Sequence, residues 1–278
     1  MDEMAIISDI HGNLEALNKV LEDIKKRNIK KIYCLGDLIA KGTHIQECID
    51  ITKENCEVVI KGNCDEYFTV EECKRFYCEK DKKRYEWING KLNKETIDYL
   101  KDLPYCHEFY MSGRLIRLLH AHPAKINTMI SNISTFEKYY ELFLPSENTI
   151  SQEKADIVIY GHTHVPFMQK LYNRVILNTG SVGNAIDVYR NEEKDGNTKN
   201  TTVANYIILK GKYNSKDIDN EISYEFISVP YDIDKELEEN KDNIEFEEYE
   251  IEIRQGKYRN MQRFYDDLKS KGIDIEKI

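Results

Sequence analysis

Met4-Ala5-Ile6-Ile7-Ser8-Asp9-Ile10-His11-Gly12-Asn13 sets a pattern that the first quarter of the chain repeats. The apolar run from Met4 to Ser8 has the length and content of a buried strand, and a polar turn, Asp9 to Asn13, follows at once. From Leu14 to Arg27 the apolar positions Leu14, Leu17, Val20, Leu21 and Ile24 return at helical spacing. Lys31 to Leu35 reads as a second strand ending at Gly36-Asp37, and a helix over Ile45 to Lys53 leads to a third strand, Glu57 to Lys61. That strand ends at Gly62-Asn63-Cys64-Asp65. Strands alternating with helices predict right-handed crossovers and a parallel sheet. Each polar turn then lies at the C-terminal end of a strand, where open α/β sheets bind ligands.

Further along, residues 66–104 are charged and read as helical, with the single Trp, Trp87. Strand candidates follow at Glu108–Met111, Arg114–His120, Asp156–Tyr160, Phe167–Leu171, Arg174–Asn178, Val203–Leu209 and Tyr224–Val229. With few long helices between them, they predict a second, more antiparallel sheet packed on the first. Asn191–Asn200 has no apolar anchor and reads as a loop at a hairpin tip. After Pro230 the composition shifts: Asp234–Glu250 is acidic, and Tyr258–Lys271 places Met261, Phe264, Tyr265 and Leu268 on one helical face. The expected organisation is a core over residues 1–230, with 66–104 as a helical insertion, and a helical extension over 231–278.

The 278 residues carry a net charge of −10, which argues against a protein that tracks long nucleic acid or an anionic membrane surface through a basic face. No apolar run approaches the roughly 20 residues of a membrane span. The seven cysteines are scattered and never spaced as CxxC, so neither a disulfide framework nor a zinc knuckle is expected. With no signal-peptide pattern before the first strand, these features predict a cytoplasmic protein.

Five polar clusters sit at predicted strand ends: Asp9-x-His11, Gly36-Asp37, Gly62-Asn63-Cys64-Asp65, His120-Ala121-His122 and Gly161-His162-Thr163-His164. Carboxylate, carboxamide and imidazole donors suit borderline divalent metals. Of the seven histidines, only His44 and His107 lie outside the clusters. In an extended turn, residues i and i+2 project to one side, so Asp9 with His11, and His162 with His164, can each present two donors to one small volume. Taken singly, each cluster has a plain structural explanation, a turn or a helix N-cap. Their joint occurrence after successive apolar strands does not.

The series DIHGN (9–13), GD (36–37), GNCD (62–65), LLHAHP (118–123) and GHTHVPF (161–167), continued by ILNTGSVGNAID (176–187), resembles the calcineurin-like metallophosphoesterase superfamily, in its small bacterial branch. The resemblance runs from about Met4 to Val229. It implies a two-sheet αββα sandwich with a dinuclear metal site at the strand ends. Asp9, His11 and His164 would hold the first ion, Asp37 would bridge both, and Asn63, His120 and His162 would complete the second. His120 is the expected ligand rather than His122 because it ends the apolar run Leu115–Leu119. The ions, manganese, iron, zinc or nickel on donor chemistry, would share a hydroxide that attacks phosphorus.

Many superfamily members carry His where this chain has Cys64. The general acid therefore has to be sought elsewhere, and His122 is a candidate for it and for a substrate contact. Asp65 is expected to orient a neighbouring ligand, and the Gly180-Ser181-Val182-Gly183 amides either line the pocket or form a tight turn. The implied substrate is a small phosphodiester or phosphoanhydride, a dinucleoside polyphosphate such as diadenosine tetraphosphate among them. A broad phosphomonoesterase and a non-catalytic protein-binding scaffold are the alternatives. In the extension, Tyr249, Tyr258, Phe264 and Tyr265 with Arg254 and Arg259 either stack on a base, dock on the core, or pair two copies into a homodimer.

Overall fold

A computed structural model describes residues 1–71, 79–186, 188–192 and 198–257. The first repeat forms as read: β1 (Asp2–Ile7), α1 (Leu14–Lys26), β2 (Lys31–Cys34), α2 (Ile45–Asn55) and β3 (Val58–Val59). β3 is shorter than its sequence suggests, although the flanking Glu57 and Ile60 amides still donate to Ile32 and Cys34. The helical stretch contains α3 (Asn63–Thr69), α4 (Glu79–Asn89) and α5 (Lys94–Asp102). Beyond it come β4 (Cys106–Met111), β5 (Arg114–Leu119), α6 (Phe136–Glu141), β6 (Ile157–Tyr160), β7 (Phe167–Leu171) and β8 (Arg174–Asn178). The chain continues through β9 (Val188–Glu192), β10 (Thr198–Thr202), β11 (Ala204–Gly211), β12 (Ser223–Val229), α7 (Ile233–Glu239) and α8 (Phe246–Gln255).

Two five-stranded sheets result, ordered β12–β11–β1–β2–β3 and β4–β5–β6–β8–β7. This corrects the expected division in two respects. β11 and β12 belong to the first sheet, because β11 pairs antiparallel with β1. The second sheet is mixed: β5, β6 and β8 run parallel and only its edges, β4 and β7, are antiparallel. Part of the predicted loop at 191–200 is strand, since β9 and β10 form an antiparallel ribbon.

Alternation along the strands builds the layers. Ala5 and Ile7 of β1 face the helices α1 and α2, whereas Met4 and Ile6 face the second sheet. Ile157 and Ile159 of β6 meet them from the other side, and Val158 and Tyr160 turn outward to Tyr139, Leu142 and Phe143 around α6. Period-2 side-chain direction thus yields three apolar layers and an αββα sandwich. In the extension, Ile233, Leu237, Tyr249 and Ile253 form their own apolar cluster. The amphipathic segment 258–271 lies outside the described residues. Among those residues five cysteines are free thiols, and no helix is long and apolar enough to cross a membrane.

Candidate metal centre

The turns after β1 and β2 are zipped together by backbone bonds: Asp9 N to Gly36 O and His11 N to Asp37 O, both 3.0 Å. Gly42 N returns to His11 O at 2.8 Å. The second sheet joins this pair where Gly161 abuts Asp9, leaving no room for a Cβ: an added carbon would sit 2.4 Å from Asp9 Oδ2. Asp9, His11, Asp37, His162 and His164 all adopt left-handed backbone, with φ between 53° and 66°. Such conformations are costly for residues with a Cβ and persist where surrounding structure enforces them, commonly at functional sites. The extended-turn premise for the x-spacing is therefore incorrect; the convergence comes from tight left-handed turns.

Asp9, His11 and His164 bring one ligand atom each within metal-binding reach of the others, as do Asp9, Asp37 and His120. The two oxygens of Asp37 face opposite ways. Oδ2 lies 3.6 Å from His11 Nε2, and Oδ1 lies 3.5 Å from His120 Nε2. His120 Nε2 is also 2.9 Å from Asn63 Oδ1 at the start of α3, and its ring lies 5.2 Å from that of His162. His162 and His164 thus diverge, the first toward His120 and the second toward His11 and Asp9.

Each inner imidazole is oriented by a carbonyl behind it. Nδ1 of His11 faces Ile39 O at 3.0 Å, Nδ1 of His120 faces Leu35 O at 2.9 Å, and Nδ1 of His164 faces Asn184 O at 2.6 Å. A carbonyl only accepts, so Nδ1 carries the proton; the Nε2 lone pairs of His11 and His164 then point inward, and that of His120 would do so once a metal displaced the proton it shares with Asn63 Oδ1. Nε2 of His11 and Nε2 of His164 then meet at 3.1 Å, and two lone pairs at that separation require a proton or a cation between them. Burial first, then Lys41 and His164, hold His11 well below its ordinary value, which disfavours the proton. Burial, with His120 beside it, pushes His162 down to about 3, and its Nε2 is buried without a hydrogen-bond partner. Asp9 Oδ1 is likewise buried and unbonded. Burial alone would raise that carboxyl, but His164, His120 and His11 outweigh it and keep Asp9 ionised. For His120 burial opposes the charge, while Asp37 and Asp9 outweigh it and favour a proton, for which a metal would compete. The donor set therefore fits divalent cations on its own chemistry.

Asp65 does not face the cluster. Its Oδ2 accepts from Asp37 N and Gly62 N, both at 2.9 Å, and its Oδ1 from Leu38 N at 3.0 Å, so it holds the Asp37 turn. Cys64 donates its backbone N–H to Asp37 Oδ1 at 2.8 Å, and its thiol, raised well above the usual range mainly by burial, lies near His11 and Asp37.

The structure bears on two further expectations. His122 Nδ1 accepts from Ala124 N at 3.1 Å and its Nε2 lies 3.5 Å from Glu141, and among the described residues no hydrogen bond or ion pair joins it to the cluster. The Gly180–Gly183 segment forms the tight turn, with three of its amides engaged. Gly180 N donates to Asn178, Val182 N to Ser8 O and Gly183 N to Asp9 O, while Ser181 Oγ donates to Asp9 O at 2.8 Å. Tyr249 is also unavailable for stacking, being fully buried with its hydroxyl donating to Glu236 at 2.8 Å, and Arg254 pairs with Glu250 and Asp234. Tyr258, Arg259, Phe264 and Tyr265 lie outside the described residues. Asn184, which supports His164, was missed; a buried Asn directly after the Ser181–Gly183 turn is the signal that could have found it.

Comparison with known proteins agrees with this geometry. Uncharacterized protein MJ0912 of Methanocaldococcus jannaschii is 31% identical over 251 residues, 84% of this chain and 90% of that protein. Among solved structures, a metallophosphoesterase from Sphaerobacter thermophilus matches with a TM-score of 0.61 at 21% identity, over 86% of this chain and 93% of its own. Hypothetical protein PH1004 from Pyrococcus horikoshii OT3 matches with a TM-score of 0.67 at 18% identity, over 93% and 100%. At those identities the two structures speak for the fold alone. The model of the calcineurin-like phosphoesterase superfamily domain matches residues 3–196, and the chain belongs to that superfamily.

Proposed function

We propose that the protein is a hydrolase of phosphate esters or anhydrides that works with two divalent cations. Asp9, His11 and His164 hold one, Asn63, His120 and His162 hold the other, and Asp37 is shared between them. The observation that carries this reading is the placement of the two Asp37 oxygens, 3.6 Å from His11 on one side and 3.5 Å from His120 on the other. Bound there, two cations supply Lewis acidity toward phosphoryl oxygens and a water made acidic near neutral pH.

The chain's own residues set the stage for that chemistry. Asp37 fixes the separation of the two donor sets, and Asp65 fixes Asp37 by gripping the amides on either side of its turn. Backbone carbonyls hold three imidazoles with Nε2 aimed inward. Asp9, ionised in the free centre, contributes charge that offsets the cations. The imidazole and carboxylate donors accept manganese, iron, zinc or nickel. An acidic chain of net charge −10 favours a small phosphorylated substrate over a long polymer, and a dinucleoside polyphosphate such as diadenosine tetraphosphate is the substrate class we favour. Free thiols at all five described cysteines fit a reducing, cytoplasmic setting. Residues 231–257 pack against the same chain through α7 and α8.

The test is a metal-free preparation refilled with Mn²⁺ and given a dinucleoside polyphosphate, a cyclic nucleotide, an aryl phosphodiester and an aryl phosphomonoester. Hydrolysis that needs the metal and falls by orders of magnitude in Asp37→Asn supports the reading. A protein that takes up its ions yet turns over none of the four is a scaffold instead.

A further inference from the structure

We infer that Glu252, far along the chain in the C-terminal extension, is a positioning residue for the metal centre, acting through Asn184 on His164. The inference rests on His164 being a metal ligand.

Glu252 lies on α8 and is 2% exposed. Burying a carboxylate is costly unless partners compensate it, so its surroundings need an account. Its Oε2 accepts from Asn184 Nδ2 at 3.3 Å and lies 3.5 Å from Lys41 Nζ. Lys41 Nζ in turn donates to Asn184 Oδ1 at 2.6 Å. The Asn184 amide is thereby held between a cation and an anion, with its oxygen toward Lys41 and its nitrogen toward Glu252. A flip would set its NH₂ against the ammonium and its carbonyl against the carboxylate, two repulsive contacts in place of two attractive ones. The same oxygen lies 3.1 Å from His164 Nδ1, beside the Asn184 carbonyl at 2.6 Å. Fixing the flip therefore gives Nδ1–H a second acceptor beside the Asn184 carbonyl that already sets the tautomer, and holds the ring in its aim at the centre.

The extension grips the same loop at two further points. Asn243 Nδ2 donates to Lys41 O at 2.6 Å, and Thr43 N donates to Asn240 Oδ1 at 2.7 Å. That loop returns directly to the site, since Gly42 N donates to His11 O. Residues 231–257 are thus part of the scaffold of the metal centre rather than an appendage to it.

The experiment compares the full chain with Glu252→Gln, Glu252→Ala and Asn184→Ala, each freed of metal and titrated calorimetrically with Mn²⁺. Outer partners of metal ligands typically contribute 10- to 100-fold in affinity. Glu252→Ala and Asn184→Ala should weaken one of the two ions by about 10- to 100-fold and leave the other unchanged. Glu252→Gln keeps the shape and the acceptor but loses the charge, and should fall between wild type and Glu252→Ala. ¹H and ¹⁵N shifts of the metal-free protein should show the same Nδ1–H tautomer of His164 in wild type and Glu252→Ala but a weaker Nδ1–H hydrogen bond in the variant, a local change that loss of packing alone does not produce. Wild-type affinity for both ions in any of these variants that folds, or an unchanged His164 Nδ1–H signal, overturns the inference. His164→Ala separates the two levels. If it still binds both ions tightly, the assignment of the centre has failed; if it loses one while the Glu252 variants lose none, only the role of Glu252 has.

Discussion

Asp65→Asn probes the link between the fold and the centre most sharply. The carboxylate is fully buried and accepts three backbone N–H groups, from Asp37, Gly62 and Leu38 at 2.9, 2.9 and 3.0 Å. Burial, reinforced by Asp37, raises this carboxyl to about 7, so the comparison belongs near pH 8, where the group is charged. The amide has one acceptor instead of two. Its better orientation keeps the carbonyl on Asp37 and Gly62 and sets the NH₂ against Leu38 N–H, donor to donor. One charge-assisted bond, worth about 1.5–3 kcal/mol, is lost and the other two drop to neutral strength, while relief of the buried charge offsets part of this, so the net loss is about 1–3 kcal/mol. At about 2–4 °C per kcal/mol for a chain near this size, the metal-free protein should melt about 2–12 °C lower. The assay is thermal unfolding by circular dichroism in chelator. Because the lost bond holds the Asp37 turn, the folded variant should also bind Mn²⁺ more weakly. A melting temperature within about 2 °C of wild type, with metal affinity intact, would refute the assignment of Asp65 as the brace of that turn.

Gly183→Ala should disturb the centre by sterics alone, since a Cβ there meets Ile10 O at 1.8 Å and Asn13 Cβ at 2.9 Å; we expect a loss of about 1–3 kcal/mol and weakened metal binding, read by thermal unfolding and Mn²⁺ titration. His107, packed against Tyr33 and Phe109, is held below 6.5 chiefly by burial. Its unfolded form takes up a proton as pH falls through about 6.5 and its folded form does not until lower, so the stability it contributes is full above that point and is lost on acidification. His107→Phe should therefore lose less stability than wild type between about pH 7.5 and 5.5 in urea titrations, and an equal loss would contradict the assignment.

Local pattern carried the first half of the fold. The alternation of Met4 to Ile7 and the helical spacing of Leu14 to Ile24 encode their own layers, so β1 and α1 could be read directly. Sheet membership could not, because β11 reaches β1 by pairing Ala5 with Ile208, about 200 residues apart, and nothing local records the partner. The ligand clusters were legible because metal donors gather at strand ends. Their geometry was not: Asp9, His11, Asp37, His162 and His164 take left-handed backbone that no residue type there announces. His122 shows the limit of spacing arguments. It shares the x-spacing of the other pairs, yet Ala124 and Glu141 claim its ring. Lys41, Asn184 and Glu252 were unread because each is an ordinary polar residue until the fold brings them together, Asn184 and Glu252 buried and Lys41 partly so.

The central claim is that one carboxylate, Asp37, serves two cations at once. Its most direct test is the metal stoichiometry of the folded chain, by elemental analysis after dialysis and by Mn²⁺ titration of metal-free protein, for wild type and Asp37→Asn. The arrangement predicts two ions per wild-type chain and weakened binding of both in the variant. A single ion in wild type, or two ions bound by Asp37→Asn with native affinity, would contradict it.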